Sequence, residues 1–439
     1  MSHRIKTDQP VAVVIHLDCI TGLQTARLLS RRGVPVIGVA KNRNHFCCRT
    51  RVCQTILTAD TASDDLLNCL EQLGPSLPGK AVLFPCSDMS VLTVSNGRRR
   101  LRPWYHVMLG DPQGIELLMD KVRFIQFAQE QGLPIPRTSV LHDRDAAERA
   151  AAELRFPCVL KPPVKTPRWE ANTEVKAYVV SDSNQLLARY DQCSAWSDLL
   201  IVQEWVEGPE ANLFSSNAYF DAGSNPLATF TARKLRQWPP GTGTSCLGEE
   251  CRNDDVVRET MRLFQAARFH GLAYLEMKRD VRTGEHLIIE PNVGRPTGRS
   301  AISEAGGVEL VYTMYCDAVG LPLPEARRQR YRGVKWIYWR RDLQSAWCYW
   351  RRGQLDVRQW WRSWRGPKCH AVFSWRDPGP FVADGMQALV KAFRLAVGKL
   401  WSRLTNRRRD ESQRETESRP SRARQGTDLQ SEQVESAVN

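Results

Sequence analysis

Two acidic residues and an asparagine in the segment YLEMKRDVRTGEHLIIEPN, residues 274–292, could bind a metal ion. Side chains alternate between the two faces of a β-strand, so Glu290 and Asn292 lie on the same face. If the two strands pair so that opposed residue numbers sum to about 566, Glu276 joins that face. Two carboxylates placed close together need a positive partner, and Mg²⁺ prefers such oxygen ligands together with phosphates. The alternative is a solvated hairpin face with unrelated charges.

The elements that must hold this hairpin begin with alternating strand and helix patterns in the first third of the chain. The apolar run VAVVIHL, residues 11–17, precedes a helical pattern that stops at Gly33, and VPVIGVA then supplies a second strand. This alternation predicts a small parallel sheet with helices on its faces. The turn HLDCITGLQ holds a single glycine, which argues against the glycine-rich NAD turn of dinucleotide-binding folds.

The pattern changes near residue 120. The segment MDKVRFIQFAQEQGLPIPRT predicts a helix that ends at Gly132, followed by a proline-punctuated crossing into the next domain. The strands FPCVLKP, TEVKAYVV and LLIVQEWV come next, and residues 210–249 are rich in strand patterns. The hairpin with the acidic residues therefore comes late in a second, mixed domain.

Composition restricts the class of protein. The 439 residues are 42% apolar and 25% charged, which excludes a wholly disordered chain, and the length allows several domains of roughly 100–200 residues. VAVVIHL is far shorter than the roughly 20 residues of a membrane-spanning helix, and the first ten residues contain no apolar segment typical of a secretory signal. Thirteen cysteines, an odd number, favour free thiols in a reducing cytosol, and hence a cytoplasmic location.

The net charge of +14 is concentrated near the end of the chain. Residues 327–376 contain fourteen Lys or Arg, only two acids and eight of the fourteen tryptophans. Three interpretations fit this basic, Trp-rich region: a wrap on the body with arginine stems on indoles, docking to anionic lipid, or binding of single-stranded nucleic acid. We favour the wrap and place nucleic acid last, because no recognised RNA-binding fold accompanies the region.

Five motifs between about residues 100 and 320 resemble those of the ATP-grasp superfamily. In the family's order they are MDKVRF…GLPIPRT, FPCVLKP, IVQEWVEGPE, TARKLRQWPPGTGTS and GLAYLEMKRD…LIIEPNVGRPTGRS. The fourth is similar to the carboxylate–amine ligases associated with polysaccharide biosynthesis. The resemblance implies an α/β protein that begins with an N-terminal parallel βαβ (pre-ATP-grasp) domain over 1–112. An ATP-grasp α+β core follows over 113–325, with an ATP-binding subdomain over 113–206 and a metal and substrate subdomain over 207–325. A basic Trp-rich C-terminal region over 326–404 and a disordered tail over 405–439 complete the chain.

The resemblance also implies ATP and Mg²⁺, or alternatively Mn²⁺, as the bound groups and assigns the residues that contact them. Nucleotide contacts are implied for Lys121, Lys161, Lys176, Gln203, Glu204, Val206 and Glu210. The catalytic cations implied are Lys234, Arg236 and Arg295, which would hold phosphate or carboxylate and offset charge on the transferred phosphoryl group. The implied metal ligands are Glu276, Glu290 and Asn292.

The flap that closes over the phosphates departs from the family pattern. Small residues let backbone N–H groups approach the phosphates in that flap, yet no glycine occurs between Gly132 and Gly208. The segment KPPVKTPRWEANTEVK would have to use Lys165, Arg168 or Lys176 instead. Cationic side chains close less tightly than a backbone cradle.

The function implied is an ATP-dependent ligase that joins a carboxylate to an amine through an acyl phosphate and releases ADP and phosphate. The expected partners are a small-molecule or glycan-linked carboxylate and an amine. One alternative is a carboxylase-like ATP-grasp enzyme that uses bicarbonate, although no biotin-carrier segment follows. The other is a nucleotide-binding, membrane-associated scaffold without ligase activity, which the glycine-free flap favours.

The last apolar pattern predicts an amphipathic helix over residues 382–404. Its apolar stripe comprises Val382, Met386, Leu389, Val390, Phe393, Val397, Leu400, Trp401 and Leu404, and its other side carries Lys391, Arg394, Lys399 and Arg403. Such a helix either packs on the enzyme body or lies in the headgroup layer of an anionic membrane. The second interpretation would make the protein peripheral on the inner face of the membrane.

Overall fold

The structure is a computed structural model that describes residues 9–397 except 165, 176, 242, 392, 395 and 396. Two compact units divide the chain between Asp384 and Gly385. The first unit contains three β-sheets, and in the second the described residues from Gly385 to Val397 are helical. Lys176 and the predicted tail over 405–439 lie outside the described residues.

The first sheet is parallel, as the strand and helix alternation predicts. Its strand order is β3-β2-β1-β4-β5, and the buried runs of β1, β2 and β4 form its centre. The strands are β1 (Ala12–Ile15), β2 (Val36–Ala40), β3 (Cys53–Thr58), β4 (Ala81–Pro85) and β5 (Tyr105–His106), and the helices are α1 (Ile20–Arg31), α2 (Asp64–Leu73), α3 (Asp88–Asn96) and α4 (Arg98–Leu101). A Cβ on Gly22 would lie 2.5 Å from the His16 carbonyl oxygen, so glycine lets α1 begin directly against the end of β1.

A four-stranded antiparallel sheet follows, with strand order β6-β9-β7-β8. Its strands are β6 (Thr138–Leu141), β7 (Cys158–Lys161), β8 (Tyr178–Val180) and β9 (Leu200–Glu204). The helices before and between them are α5 (Pro112–Met119), α6 (Lys121–Glu130), α7 (Arg144–Glu153), α8 (Pro167–Asn172) and α9 (Ser183–Ser194). Asp120 caps α6, because its side chain accepts from the backbone N–H groups of Val122 and Arg123, and this fixes Lys121 at the start of the helix.

The third sheet has seven strands in the order β14-β13-β10-β11-β12-β15-β16. The strands are β10 (Leu213–Phe220), β11 (Pro226–Trp238), β12 (Thr244–Glu250), β13 (Gly271–Arg279), β14 (His286–Val293), β15 (Lys335–Ile337) and β16 (Lys368–His370), and the helices are α10 (Asp254–Ala266), α11 (Ser300–Ala305) and α12 (Leu310–Val319). The first six strands pair antiparallel, whereas β15 and β16 pair parallel. The basic, Trp-rich region thus contributes the last two strands of the core sheet.

The same region forms two further helices, α13 (Trp339–Arg351) and α14 (Val357–Ser363), around one buried carboxylate. Asp342 is fully buried and accepts from Arg236 Nε at 2.8 Å and Nη2 at 3.0 Å. It also accepts from the indole Nε1 of Trp360 at 3.1 Å and of Trp364 at 2.9 Å. The region does wrap on the body, but through indole N–H groups on a carboxylate rather than arginine stems on indoles.

The helices of the described residues are too short or too polar to cross a bilayer, since none of them combines the length and the apolar character that a membrane span needs.

We expect Asp342→Ala to destabilise the protein strongly. The substitution leaves the guanidinium of Arg236, a residue 5% exposed, without its carboxylate, and breaking a buried ion pair in this way costs about 3–5 kcal/mol. Glu148→Ala is the matched control, because Glu148 pairs with Arg144 on an exposed helix surface, where such pairs contribute about 0–1 kcal/mol. Urea unfolding of both variants measures the difference, and equal losses would contradict the prediction.

Candidate active site

Glu276, Glu290 and Asn292 lie together on one face of the β13–β14 hairpin. The strands pair with Glu276 directly opposite Glu290 and Tyr274 opposite Asn292, which confirms the predicted register. A β-bulge follows between Glu276 and Met277. Opposed residues of an antiparallel pair have Cβ atoms about 4.5–5.5 Å apart. Backbone pairing therefore holds the two carboxylates side by side.

This arrangement perturbs the carboxyl of Glu290. Desolvation within the cleft raises its pKa, and the negative charge of Glu276 raises it further, while Lys121 and Lys161 oppose the rise. Two crowded carboxylates and a neighbouring amide oxygen form a donor set that suits a hard divalent cation. Within the part of the chain that the structure describes, no three carboxylate, imidazole or thiol groups are arranged to hold a metal by themselves. A cation here would also need phosphate oxygens.

Neighbouring strands bring a cation to the same face of the sheet. Ser215 of β10 lies opposite Glu276, and Ala232 of β11 lies opposite Ser215. Lys234 comes two residues after Ala232, is 7% exposed, and donates from Nζ to Gln237 Oε1 at 3.1 Å. Burial lowers the pKa of Lys234, and the charge of Glu276 opposes that effect. The buried ammonium and the carboxylate pair thus influence each other.

Arg295 connects the hairpin to the first sheet's domain. Its Nε donates to Asp88 Oδ1 at 2.5 Å, its Nη1 to the Tyr274 hydroxyl at 2.5 Å, and its Nη2 to Asn292 Oδ1 at 2.6 Å. Asp88 is the first residue of α3. The guanidinium therefore orients the amide of Asn292, and its predicted role at the transferred phosphoryl group stays a prediction.

A cavity of about 820 Å³ opens where β9 ends, at the segment predicted to lie along adenine. The predicted nucleotide residues that line it are Lys161, Gln203, Glu204, Val206 and Glu210. Val159 and Leu213 add apolar surface, as a purine requires. The structure thus brings together five of the seven predicted nucleotide residues at one cavity.

A second cavity, of about 700 Å³, reaches Glu290, one of the two paired carboxylates. Lys121, Glu290 and Asn292 line it. Lys161 and Gln203 line both cavities, with Lys161 Nζ 3.4 Å from Gln203 Oε1. Desolvation by burial lowers the pKa of Lys161, the charge of Lys121 lowers it further, and Glu290 opposes. Lys161 therefore lies between β9 and Glu290.

Lys121 reaches this second cavity from the start of α6. Its Nζ donates to the Pro163 carbonyl oxygen at 2.9 Å, in the segment that follows β7. That segment was predicted to act as a glycine-free flap, and it contains the helix α8. Trp169 of α8 is fully buried and donates its indole N–H to the Val175 carbonyl at 3.1 Å. An aromatic anchor thus organises the flap, and Lys165 and Lys176 fall outside the described residues.

Arg236 lines the first cavity, but its guanidinium bonds to other residues of the protein. β-bulges interrupt the pairing of β11 with β12 on both sides of Arg236, so the side-chain alternation that begins at Lys234 is broken. The guanidinium instead bonds to Asp342 and donates from Nη1 to Ser363 Oγ at 2.8 Å. These contacts hold the guanidinium within the protein, and the predicted phosphate- or carboxylate-binding role of Arg236 stays a prediction.

Glu210, a predicted nucleotide contact, also has partners within the protein. Its carboxylate accepts from the backbone N–H of Gln237 at 3.1 Å and of Gly241 at 3.0 Å. The hydroxyl of Tyr349 also donates to Glu210. The residue lines the cavity while it joins β11, the loop after β11 and α13.

Sequence reasoning missed the contribution of α13 to the cavity. Tyr349 and Arg352 line it, together with Gln354 and Leu355. Asp342, Ser345 and Tyr349 follow a helical spacing of three and four residues, and Ser345 Oγ donates to the Gln237 carbonyl at 2.8 Å. That polar stripe was the available signal, but the Trp and Arg content of the segment obscured it.

Arg299 is a second residue that sequence reasoning missed. It is 7% exposed, and its Nη2 lies 4.0 Å from Glu276 Oε1. It is the second arginine of the segment VGRPTGRS, and the first drew attention because it follows Asn292 at the family's spacing. Arg299 therefore adds a buried positive charge beside the carboxylate pair.

Comparison with known proteins finds relatives among ligases, whereas no family model matches the chain. D-aspartate ligase of Enterococcus faecium is 23% identical over 232 residues, 51% of this chain and 54% of that protein. D-alanine–D-alanine ligase of Ectopseudomonas mendocina is 33% identical over 223 residues, 46% of this chain and 66% of that protein. The chain spans roughly half to two thirds of the length of the curated relatives it matches.

Solved structures share the fold. An ADP complex of N5-carboxyaminoimidazole ribonucleotide synthetase has a TM-score of 0.56 at 14% identity, over 73% of this chain and 80% of that one. An ATP-analogue complex of biotin carboxylase from Campylobacter jejuni has a TM-score of 0.57 at 15% identity, over 73% and 74%. The predicted α/β fold class is confirmed, and the likenesses support the ATP-grasp superfamily. The polysaccharide-associated branch stays a prediction.

We expect Glu290→Gln to stabilise the protein in the presence of a chelator at neutral pH. A raised carboxyl pKa means that the folded protein keeps a proton that the unfolded chain has lost, so ionisation of Glu290 destabilises the fold as pH rises above about 4.3. Glutamine does not ionise, so the variant does not lose stability in this way as the pH rises. Its melting temperature should therefore exceed the wild-type value at pH 7, and the gap should close toward pH 4.

The control for this measurement is Glu285→Gln, on the exposed turn of the same hairpin. It should leave the melting temperature unchanged at both pH values. Adding Mg²⁺ with ATP should then stabilise the wild type more than Glu290→Gln. A variant that is less stable than the wild type at pH 7 in chelator would contradict the crowding of the two carboxylates.

Proposed function

We propose that this protein is an ATP-dependent ligase that joins a carboxylate to an amine. One observation carries the proposal: Lys161 and Gln203 line both the cavity at the end of β9 and the cavity that Glu290 and Asn292 line. A nucleotide with its base along Gln203 to Val206 would extend its phosphates past Lys161 toward Glu276 and Glu290. The ligases among the relatives and the ADP and ATP-analogue complexes among the fold neighbours support this placement.

The proposed reaction has two steps. The substrate carboxylate attacks the γ-phosphorus of ATP, which forms an acyl phosphate and releases ADP. The amine then attacks the acyl carbon, phosphate leaves, and the nitrogen loses a proton to give an amide. Phosphoryl transfer of this kind depends mainly on positioning and on neutralising the developing charge.

The residues of this chain would supply that charge balance. Glu276, Glu290 and Asn292 would hold Mg²⁺, which neutralises phosphate oxygens when bound. Lys161 would contact the phosphates between the base and the metal. Lys121 would add a second positive charge from α6. The buried ammonium of Lys234 and the guanidinium of Arg299 face the same carboxylates from other elements, so the positive charges surround the site of transfer.

The substrate class we propose is an amino acid or an amino-acid-like carboxylate. The names of the relatives, a D-aspartate ligase and D-alanine–D-alanine ligases, describe such substrates for those proteins. A uronic acid or another glycan-linked carboxylate, which the sequence resemblance favours, is the second substrate class to test. Bicarbonate belongs in the same assay, because biotin carboxylase shares the fold.

We expect Lys161→Ala to weaken ATP binding by at least about tenfold. A hydrogen bond to a charged group contributes about 1.5–3 kcal/mol, and Lys161 is the cation between the two cavities. ATP-induced thermal shift and calorimetric titration measure the effect. Lys41→Ala is the control, since Lys41 pairs with Asp60 on the exposed surface, and an equal ATP affinity of both variants would refute the placement of the phosphates.

The acyl phosphate itself can be trapped. Wild-type protein given ATP, Mg²⁺, hydroxylamine and the correct carboxylate should form a hydroxamate, and Glu290→Gln should reduce its rate about a hundredfold or more. The carboxylates to test are D- and L-amino acids and uronic acids, and bicarbonate is tested by ADP release because carboxyphosphate gives no hydroxamate. ATP binding without hydroxamate or ADP release across this set would favour the nucleotide-binding scaffold over the ligase.

A further inference from the structure

The helix α13 has two chemically different faces. On one face, Asp342 and Ser345 bond to β11, and Tyr349 bonds to Glu210 at the nucleotide cavity. Leu343, Trp347 and Trp350 follow at steps of four and three residues and are 50%, 57% and 51% exposed. A protein surface in water seldom exposes such residues as a contiguous stripe unless it binds something.

The helix α14 extends this apolar surface. Val357 and Trp361 are 58% and 59% exposed. A groove of about 310 Å³ between the two helices is lined by Leu343, Trp347, Trp350 and Val357, and the rings of Trp347 and Trp350 lie 4.9 Å apart. We call the five exposed side chains Leu343, Trp347, Trp350, Val357 and Trp361 the aromatic face.

The charges beside the aromatic face are almost all positive. The segment from Arg351 to Arg365 carries five exposed arginines against one exposed acid. That acid, Asp356, already caps α14 by accepting from the backbone N–H of Gln359. Exposed tryptophans next to exposed arginines match the headgroup layer of an anionic bilayer, where indoles sit at the apolar boundary and guanidinium groups meet phosphate.

The second unit shows the same chemistry on its own. In its helix, Met386, Leu389, Phe393 and Val397 are 59%, 68%, 70% and 46% exposed, at helical steps of three and four residues. The sequence from 385 to 409 holds seven Lys or Arg and no acid. Of these cations, Lys391 and Arg394 are exposed in the described part of the helix. A helix that exposes apolar residues together with cations lies in the interface of an anionic membrane.

We infer that this protein binds the surface of an anionic lipid bilayer through its aromatic face and its C-terminal helix. Charge favours this occupant over a second copy of the chain. A symmetric pair of aromatic faces would place five arginines against five arginines in a poorly solvated rim, whereas anionic headgroups neutralise them. The inference concerns binding alone and does not depend on the proposed ligase reaction.

Flotation of the full chain with vesicles tests the inference. The wild type should float with vesicles that contain phosphatidylglycerol, stay unbound with pure phosphatidylcholine, and be released by high salt. Trp347→Gln with Trp350→Gln should weaken binding at least tenfold through lost apolar contact. Arg358→Gln with Arg362→Gln should weaken it by about fivefold for each arginine removed.

Further variants separate the two surfaces and control for folding. Leu389→Gln with Phe393→Gln tests the C-terminal helix, and its loss of binding should add to that of the tryptophan variant. Val179→Gln with Val281→Gln removes exposed apolar side chains elsewhere and should bind like the wild type. All variants should keep the ATP-induced thermal shift of the wild type.

Three results would overturn the inference. One is equal binding of the wild type and the tryptophan and arginine variants to anionic vesicles. Another is a wild type that binds no vesicles and forms an oligomer, seen by light scattering, which the tryptophan variant dissociates. The third is tight binding of single-stranded oligonucleotide by a wild type that fails to float with anionic vesicles, which would assign the surface to nucleic acid.

Discussion

The repulsion between Glu276 and Glu290 is the constraint around which the cleft is arranged. Backbone pairing fixes these carboxylates opposite each other, so they cannot separate without breaking the hairpin. Their negative charge is met by cations from different elements: Lys161 from β7, Lys234 from β11 and Arg299 from the segment after β14. Desolvation lowers the pKa of both lysines, and the charges of Glu290 and Glu276 oppose that effect at Lys161 and Lys234, respectively. Under the proposed function, this arrangement of charges would suit a cation and a polyphosphate.

The carboxylate of Asp342 ties the Trp-rich region to this cleft. It joins β11, α13 and α14 through Arg236 and two indoles. The same attachment brings Tyr349 into contact with Glu210, and both residues line the cavity at the end of β9. A region that looks like an appended basic segment in sequence therefore forms a wall of the cavity at the end of β9.

Local patterns in the sequence predicted those features that depend on residues close together in the chain. Buried apolar runs and alternating side chains were enough for the parallel sheet and for the facing of Glu276, Glu290 and Asn292. They did not predict the ion pair of Arg236 with Asp342, because bulges on both sides of Arg236 break the alternation and the partner is 106 residues away in the chain. They also failed at Tyr349, whose partner is 139 residues away in the chain, since such a contact depends on how whole elements pack.

The two faces of α13 link the cleft to the outer surface of the protein. Tyr349 contacts Glu210 on one side, and Trp347 and Trp350 are exposed on the other. An α-helix with its side chains is about 10–12 Å in diameter. A bilayer bound to the aromatic face would therefore lie roughly one helix diameter from the nucleotide cavity.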